Sequence, residues 1–451
     1  MRIAIVGGGI SGVTAAWQLA CHGVRDAVLF EASGRLGGTV GTVRRDGFVV
    51  EGGPDGWVSE KPWASELAEE LGLGAEIVGS NDAGRVTYVL QGGRLVAIPD
   101  AMRMMVPTDL SALEGSPLFS EAALAAYEGE PGRAAELRAS APEADESIAE
   151  FVRRHFGDEV LTKIGGPLLS GVFGGDVATL SMRAVMPKFV AMEREHGSLV
   201  AALAGKNPSA KGSVFTSLAS GVGTLVERMV AAIPSGWLRM NTSVTSIRRV
   251  GAEWVLAVDG AKEHFDALLI ALPAHVAKAM LEPLSPRMAE LLTLDASSAI
   301  LAGLAFDEDF DLPRGFGFLV PEGEGSGLLA GTFVDQKFPG RVPEGCRLLR
   351  GFFGGELALT LAGESDDAIA ARTLRELQEL LGPLPTPIFS VVRRWPRSLP
   401  QYSVGHMERM AELEALVDEQ PGLWLLGNAY RGVGLPDLIR DARVAAREIA
   451  G

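Results

Sequence analysis

The chain has 451 residues, 47% of them hydrophobic and 22% charged, with a formal net charge of −16. That length accommodates about three domains, and so acidic a balance argues against nucleic acid and against a broad electrostatic hold on anionic lipid. Cys21 and Cys346 stand far apart and the six histidines are scattered, so neither a disulfide framework nor a metal site is expected. No targeting segment precedes the first strand and no apolar run reaches about 18 residues, which predicts a cytoplasmic chain.

Ile3–Val6 reads as a buried parallel strand. Gly7, Gly9 and Gly12, with Gly8, Ile10 and Ser11 between them, then open a small-residue helix, and a second strand ends in Leu29-Phe30-Glu31-Ala32. Each part suits a dinucleotide. Gly7 permits the tight turn, Gly9 lets a pyrophosphate approach the backbone, and Gly12 lets helix and strand pack closely. Glu31 lies 19 residues past Gly12, where a carboxylate accepts from a ribose hydroxyl. Arg35, Gly37 and Gly38 follow, then Glu51-Gly52-Gly53-Pro54-Asp55. A glycine pair so soon after the acid resembles the extension of flavoproteins with two dinucleotide-binding domains. There Arg35 and the backbone would meet the long pyrophosphate of FAD. An ordinary turn with an exposed arginine is the alternative.

Ala101–Pro107 is rich in methionine, and two readings stand: a membrane-touching surface or an adaptable core segment. Helices are predicted over Ala122–Glu136 and Ser147–Leu168, with loops at Pro131-Gly132 and Ala141–Glu143. Asn241–Ile247, Trp254–Val258 and Ala267–Pro273 read as a β-meander ending at a flavin-side turn. Val244 would offer its backbone to the adenine, and Ala271 would lie in the turn. Residues 288–394 read as an antiparallel substrate sheet with one clear helix, Asp366–Leu381. Leu423–Leu426 reads as a strand; Gly427, then Gly432-Val433-Gly434-Leu435, lead to a helix over Leu438–Ala450, with Pro436 suited to its first turn. The positive end of that helix would sit by the flavin N1–C2 carbonyl and favour the reduced anion.

Four further stretches narrow the reading. They are Trp395-Pro396 with Pro400-Gln401-Tyr402-Ser403-Val404-Gly405-His406; Gly171-Val172-Phe173-Gly174-Gly175-Asp176 with Leu180-Ser181 and Pro187; Gly315–Pro321; and Arg85–Tyr88. Together with the nucleotide motifs they resemble the amine oxidase and phytoene desaturase flavoproteins, and within them the oxygen-dependent protoporphyrinogen oxidase family. The resemblance runs from residue 3 to residue 450. It implies an α/β fold with a discontinuous Rossmann-like FAD-binding domain (1–84, 211–287 and 395–451), a mixed-sheet substrate domain (85–99 and 288–394) and a mainly helical domain (100–210). It implies non-covalent FAD, with Trp395 and Tyr402 among the cofactor residues. It also implies six-electron oxidation of protoporphyrinogen IX, with molecular oxygen reduced to hydrogen peroxide. Arg85 would bind a propionate, Gly171 would turn a carbonyl to the pyrrole N–H groups, and Phe316, Gly317, Leu319 and Phe352 would contact the ring. The cofactor carries the hard step, so no catalytic acid or base is assigned. Handover to a ferrochelatase, peripheral contact with the inner face of the cell membrane, and a monomer or homodimer are further expectations.

Two positions depart from the family pattern. Asp55 stands where relatives often carry Asn or Arg, so its carboxyl would be neutral, paired or turned outward. Ser170 replaces a basic residue found in some members, which leans carboxylate recognition on Arg85. Arg85 as the one cation placed at the substrate favours two propionates; coproporphyrinogen III, with four, is the alternative. A broader amine or carotenoid oxidase is a further rival, as is a non-enzymatic module like a GDP-dissociation inhibitor.

Overall fold

A computed structural model describes residues 1–205 and 212–451, with only the helical backbone at residues 170–173. The boundary expected at 210/211 therefore lies outside the described residues. Five strands form a parallel sheet in the order Leu238–Arg239, Ala27–Phe30, Ile3–Val6, Ala267–Ile270, Leu423–Leu425. Its three central strands are apolar along their length because helices or strands cover both faces. Helices Ile10–Cys21, Gly223–Ala232 and Leu435–Ala450 share one core with one face. An antiparallel ribbon of three strands, with helices Ala274–Leu281, Pro286–Leu291 and His406–Asp418, covers the other.

A second sheet has seven strands in the order Phe389–Pro400, Ala296–Phe306, Arg347–Gly354, Ala330–Phe333, Gly317–Leu319, Thr87–Gln91, Arg94–Ala97. Within residues 288–394 the strands pair antiparallel as expected, and Gly317–Leu319 pairs in parallel with Thr87–Gln91, so the whole sheet is mixed. Leu349, Phe353, Phe318 and Phe333 leave one face and pack with helix Asp366–Leu381, whose bounds match the predicted ones. Leu319, Ala330, Phe352, Leu301 and Arg393 occupy one register row, so their side chains leave the opposite face. That face is turned toward residues 50–55. A Cβ added to Gly303 would lie 2.7 Å from Val50.

Several expectations are corrected. The third strand of the ribbon is Ala261–Phe265, not Ala267–Ile270, which instead joins the parallel sheet. Its sequence Ala-Lys-Glu-His-Phe hides the strand because most of it faces solvent. The helix expected over Ala122–Glu136 stops at Gly129, becomes a 3-10 turn over Glu130–Arg133 and resumes at Ala134. Pro131 has no N–H to continue it. The Ser147–Leu168 helix is Ile148–Val160, capped reciprocally by Ser147 and Glu150, followed by a π-turn over Leu161–Gly165 and a helix over Gly166–Phe173. The 394/395 boundary falls inside strand Phe389–Pro400, and the 287/288 boundary inside helix Pro286–Leu291. The C-terminal helix begins at Leu435, with Pro436 in its first turn. Met105 and Val106 are wholly buried against Tyr127 and Phe151, which makes the methionine-rich stretch core rather than surface. Among the described residues no helix is long and apolar enough to cross a membrane.

Candidate functional site

The turn after Ile3–Val6 accepts only glycine at two points. Gly7 has φ 107°, and a Cβ there would lie 2.3 Å from the Ala271 carbonyl oxygen; one on Gly12 would lie 1.9 Å from that of Gly7. These contacts press the helix start against the strand and against the Ala271 turn, whose N–H donates to Val6. Gly9 differs: nothing lies within 4 Å of its added Cβ. The helix over Ile10–Cys21 starts at this open position with no side-chain cap and no acid in its first turn. Its first N–H groups, including those of Ile10 and Ser11, are therefore left without a side-chain cap or a repelling acid, an arrangement suited to an anion.

Glu31 stands at the end of the second strand, where its carboxylate accepts from the N–H groups of Gly8 and Ser33, each at 2.8 Å. Ala32 follows, and the Glu31 carbonyl accepts from Thr242 two residues before Val244. Val244 is buried where its strand begins with a register shift. Arg35 does not point away as a surface cation. Its guanidinium donates to the carbonyls of Leu36, Gly38 and Val40, curling the Gly37–Gly38 turn around itself. Gly37 then donates to the Gly8 carbonyl at 2.7 Å, closing the second turn on the first.

Residues 51–55 are held from the seven-stranded sheet. Gly52 donates to Gly41, and its own carbonyl accepts the Trp395 indole N–H at 2.7 Å. Gly53 sits so close to Thr39 that an added Cβ would lie 1.9 Å from its carbonyl oxygen, and its own carbonyl accepts from Arg350. Pro54 follows. Of the three states open to Asp55, the structure has the paired one. Lys337 donates at 2.9 and 3.1 Å, and Arg350 lies at 3.2 Å. Burial pushes the Asp55 carboxyl up, but Lys337 and Arg350 outweigh it and bring it down to about 2. Glu51, also buried, accepts from Arg341 at 2.9 Å, Val222 N at 2.8 Å and Thr42 Oγ1 at 2.6 Å.

The C-terminal loop is fastened by Tyr402. Its hydroxyl donates to the Asn428 carbonyl at 2.7 Å and accepts from Gly432 N–H at 3.0 Å, so it bridges the loop between Gly427 and the last helix. The Tyr402 ring stacks on His406, with centroids 3.8 Å apart. His406 is buried, donates from Nε2 to the Tyr430 carbonyl, and burial lowers its pKa to about 4, so the ring is neutral. Gly434 caps the last helix in an extended conformation with no side-chain cap; Val433 is exposed and Leu435 buried. Asp437, in the first turn, takes Lys61 at 2.6 Å. The Pro400–His406 stretch docks on the segment after Gly171–Asp176. Gln401 donates to Gly174, Ser181 N–H to Tyr402, and Val404 N–H to Thr179.

On the open face of the seven-stranded sheet, Leu319 and Phe352 stand in one row, half-buried, with Arg350 two residues from Phe352 on the same face. Phe316 is buried and donates its N–H to the Val86 carbonyl, next to Arg85. Gly317, φ 143°, could not carry a Cβ, which would lie 2.0 Å from Gly331 O. Arg85 is half-buried, and its guanidinium has no hydrogen-bond partner among the described residues. Gly171 lies in helix Gly166–Phe173, which packs on the Gly317–Leu319 strand; its surroundings are not described. Three cations escaped the sequence reading: Arg350 and Arg341, both buried, and the half-buried Lys337, which ends the short helix Val334–Lys337; only the paired acids Asp55 and Glu51 signalled a need for them. Arg314 also rests against the Ala83–Gly84 turn beside Arg85.

A dinucleotide cradle assembled from both ends and the middle of the chain, facing an apolar sheet across a glycine-rich seam, is the architecture of an FAD-dependent oxidoreductase. The sequence profile of the family described as flavin containing amine oxidoreductase matches residues 10–450, and the chain belongs to that family. Among its relatives, the coproporphyrinogen III oxidase of Bacillus subtilis is 32% identical, covering 99% of this chain and 97% of that one. The coproporphyrinogen III oxidase of Mycobacterium tuberculosis is also 32% identical, over 99% and 96%. The chloroplastic protoporphyrinogen oxidase of Oryza sativa subsp. japonica is 28% identical, over 99% and 87%. A crystal structure from Exiguobacterium sp. 255-15 with the provisional name protoporphyrinogen oxidase superposes with TM-score 0.87 at 32% identity, covering 100% of this chain and 98% of that one. Cyclohexylamine oxidase from Brevibacterium oxydans, 18% identical with TM-score 0.73 over 100% and 98%, shares the fold. Family membership sets aside the non-enzymatic binding module.

Proposed function

We propose that this enzyme oxidises a porphyrinogen to its porphyrin in haem biosynthesis, and that the substrate is coproporphyrinogen III. Six electrons and six protons leave the macrocycle, and three molecules of oxygen become three of hydrogen peroxide. Bound FAD supplies the hydride acceptor. In this reading the N–H groups at Gly9–Gly12 hold the pyrophosphate, Glu31 the ribose and Val244 the adenine side. Gly52–Asp55, Trp395 and Gly432–Leu435 surround the flavin. Phe316, Leu319 and Phe352 give the macrocycle an apolar bed that excludes water.

The observation that carries the substrate choice is at the rim. Arg85 has no hydrogen-bond partner among the described residues, and Arg314 lies against the turn that leads into it. Arginine suits bidentate contact with carboxylates. A single arginine at the rim suits two propionates, and a second beside it favours four. The names of the bacterial relatives point the same way. Protoporphyrinogen IX is the second reading, favoured by the rice relative and by the Exiguobacterium structure. Side-by-side oxidation of both porphyrinogens, read by porphyrin fluorescence, tests the choice. We expect the higher kcat/KM for coproporphyrinogen III; a preference for protoporphyrinogen IX would install the second reading.

A further inference from the structure

The parallel sheet ends at Leu423–Leu425, which has a neighbouring strand on one side only among the described residues. On that side Leu268 N–H donates to Gly422 and Leu426 N–H to Ile270, so residues 422, 424 and 426 face inward. Leu423 and Leu425 then turn their remaining backbone groups outward. Among the described residues nothing bonds to the N–H of Leu425 or to the carbonyls of Leu423 and Leu425. The edge is not open water on both faces. Helix His406–Asp418 overhangs it from one layer and helix Leu435–Ala450 from the other, leaving a cavity of about 360 Å³ with the strand as its floor. Leu413 and Val417 form one wall; Val444, 41% exposed, and Ala445 form the other. The lining carries Glu414, Asp418, Asp441 and Glu448; Glu414 is paired with Arg431 and Asp441 with Arg440, which leaves Asp418 and Glu448 with no ion-pair partner among the described residues. At the inner end, the buried hydroxyl of Tyr430 has no hydrogen-bond partner.

We propose that this edge is a docking slot in which an extended, lysine- or arginine-bearing segment of another protein adds a sixth strand to the sheet. The unpaired backbone groups call for a strand. The walls call for apolar side chains at alternate positions, and the surplus of carboxylates calls for cations between them. A second copy of this chain fits poorly, because its own net charge is −16.

The FAD-loaded full chain would be titrated with a fluorescent peptide of alternating lysine and valine, followed by anisotropy, and with the same peptide carrying glutamate for lysine or proline for valine. We expect saturable binding of the first peptide alone, with slower amide exchange at Leu425 when it is bound. Asp418→Lys with Glu448→Lys should weaken it by about tenfold or more, and Leu425→Pro, which removes the outward N–H, should abolish it. Should Leu425→Pro lose its flavin through misfolding, Val444→Trp fills the slot and gives the same reading. Absence of binding, equal binding of the proline or glutamate peptide, or retention of binding in Val444→Trp would overturn the proposal. So would self-association of the chain that Val444→Trp removes, which would give the edge to a second copy.

Discussion

Asp55 shows how one carboxylate organises its surroundings. It is the countercharge to the half-buried Lys337 and the buried Arg350, and Arg350 in turn holds the Gly53 carbonyl. Removing one partner of such a group leaves uncompensated charge behind, at a cost of about 3–5 kcal/mol. We expect Asp55→Asn to lower the unfolding free energy from urea denaturation by that amount and to loosen flavin binding; wild-type stability and flavin content would contradict the role. Asp55 titrates low, so its contribution is present above its ordinary value of 3.8 and is lost as pH falls through about 2.

His155 works in the opposite direction. It is fully buried, and both ring nitrogens meet carboxylates, Glu130 at 2.8 Å and Glu193 at 3.0 Å. Burial pulls its pKa down, but the two carboxylates prevail and raise it above the ordinary 6.5. Its folded value is the higher one, so its stabilisation is complete below pH 6.5 and disappears as pH rises through the raised value. Thermal melts should show a loss on the alkaline side that His155→Gln removes; an unchanged pH profile in the variant would exclude the imidazolium.

At the scale of elements, the glycines of the first turn separate into two kinds. Gly12→Ala drives a methyl into the Gly7 carbonyl, so strand and helix must part. Gly9→Ala meets no protein atom, and Gly9 already has φ −68°. We expect Gly9→Ala to fold normally and to lose most of its bound FAD, measured by flavin absorbance after gel filtration. Full retention of flavin would remove Gly9 from the pyrophosphate site. Tyr402 clasps the other end of the cradle. Tyr402→Phe leaves Gly432 N–H and the Asn428 carbonyl without their partner, worth about 1–3 kcal/mol. FAD affinity should fall correspondingly, and unaltered affinity would show that the loop holds without the clasp.

Across the whole molecule, the strands at Ile3, Ala267 and Leu423 announced themselves as apolar runs beside glycines, because a buried parallel strand and its turn leave that mark. Helix Asp366–Leu381 was equally legible from its spacing. The Ala261–Phe265 strand was not, since its polar residues face water and local pattern cannot report pairing. Nor could the sequence reveal that Arg350 and Lys337 converge on Asp55 from elements about three hundred residues away. Arg85, Phe316, Leu319 and Phe352 were found through motifs rather than periodicity; that Leu319 and Phe352 share a sheet face is something only the register defines. In the proposed function Arg85 grips a propionate rather than the reacting carbon, so Arg85→Ala should raise KM for the porphyrinogen with little change in kcat; an unchanged KM would remove it from the site.

Porphyrin fluorescence during aerobic turnover of the purified, FAD-loaded protein tests the central claim most directly. We expect coproporphyrinogen III to yield coproporphyrin III with stoichiometric hydrogen peroxide, faster than protoporphyrinogen IX yields its porphyrin; a flavin-replete protein that leaves both porphyrinogens at the non-enzymatic rate would contradict it.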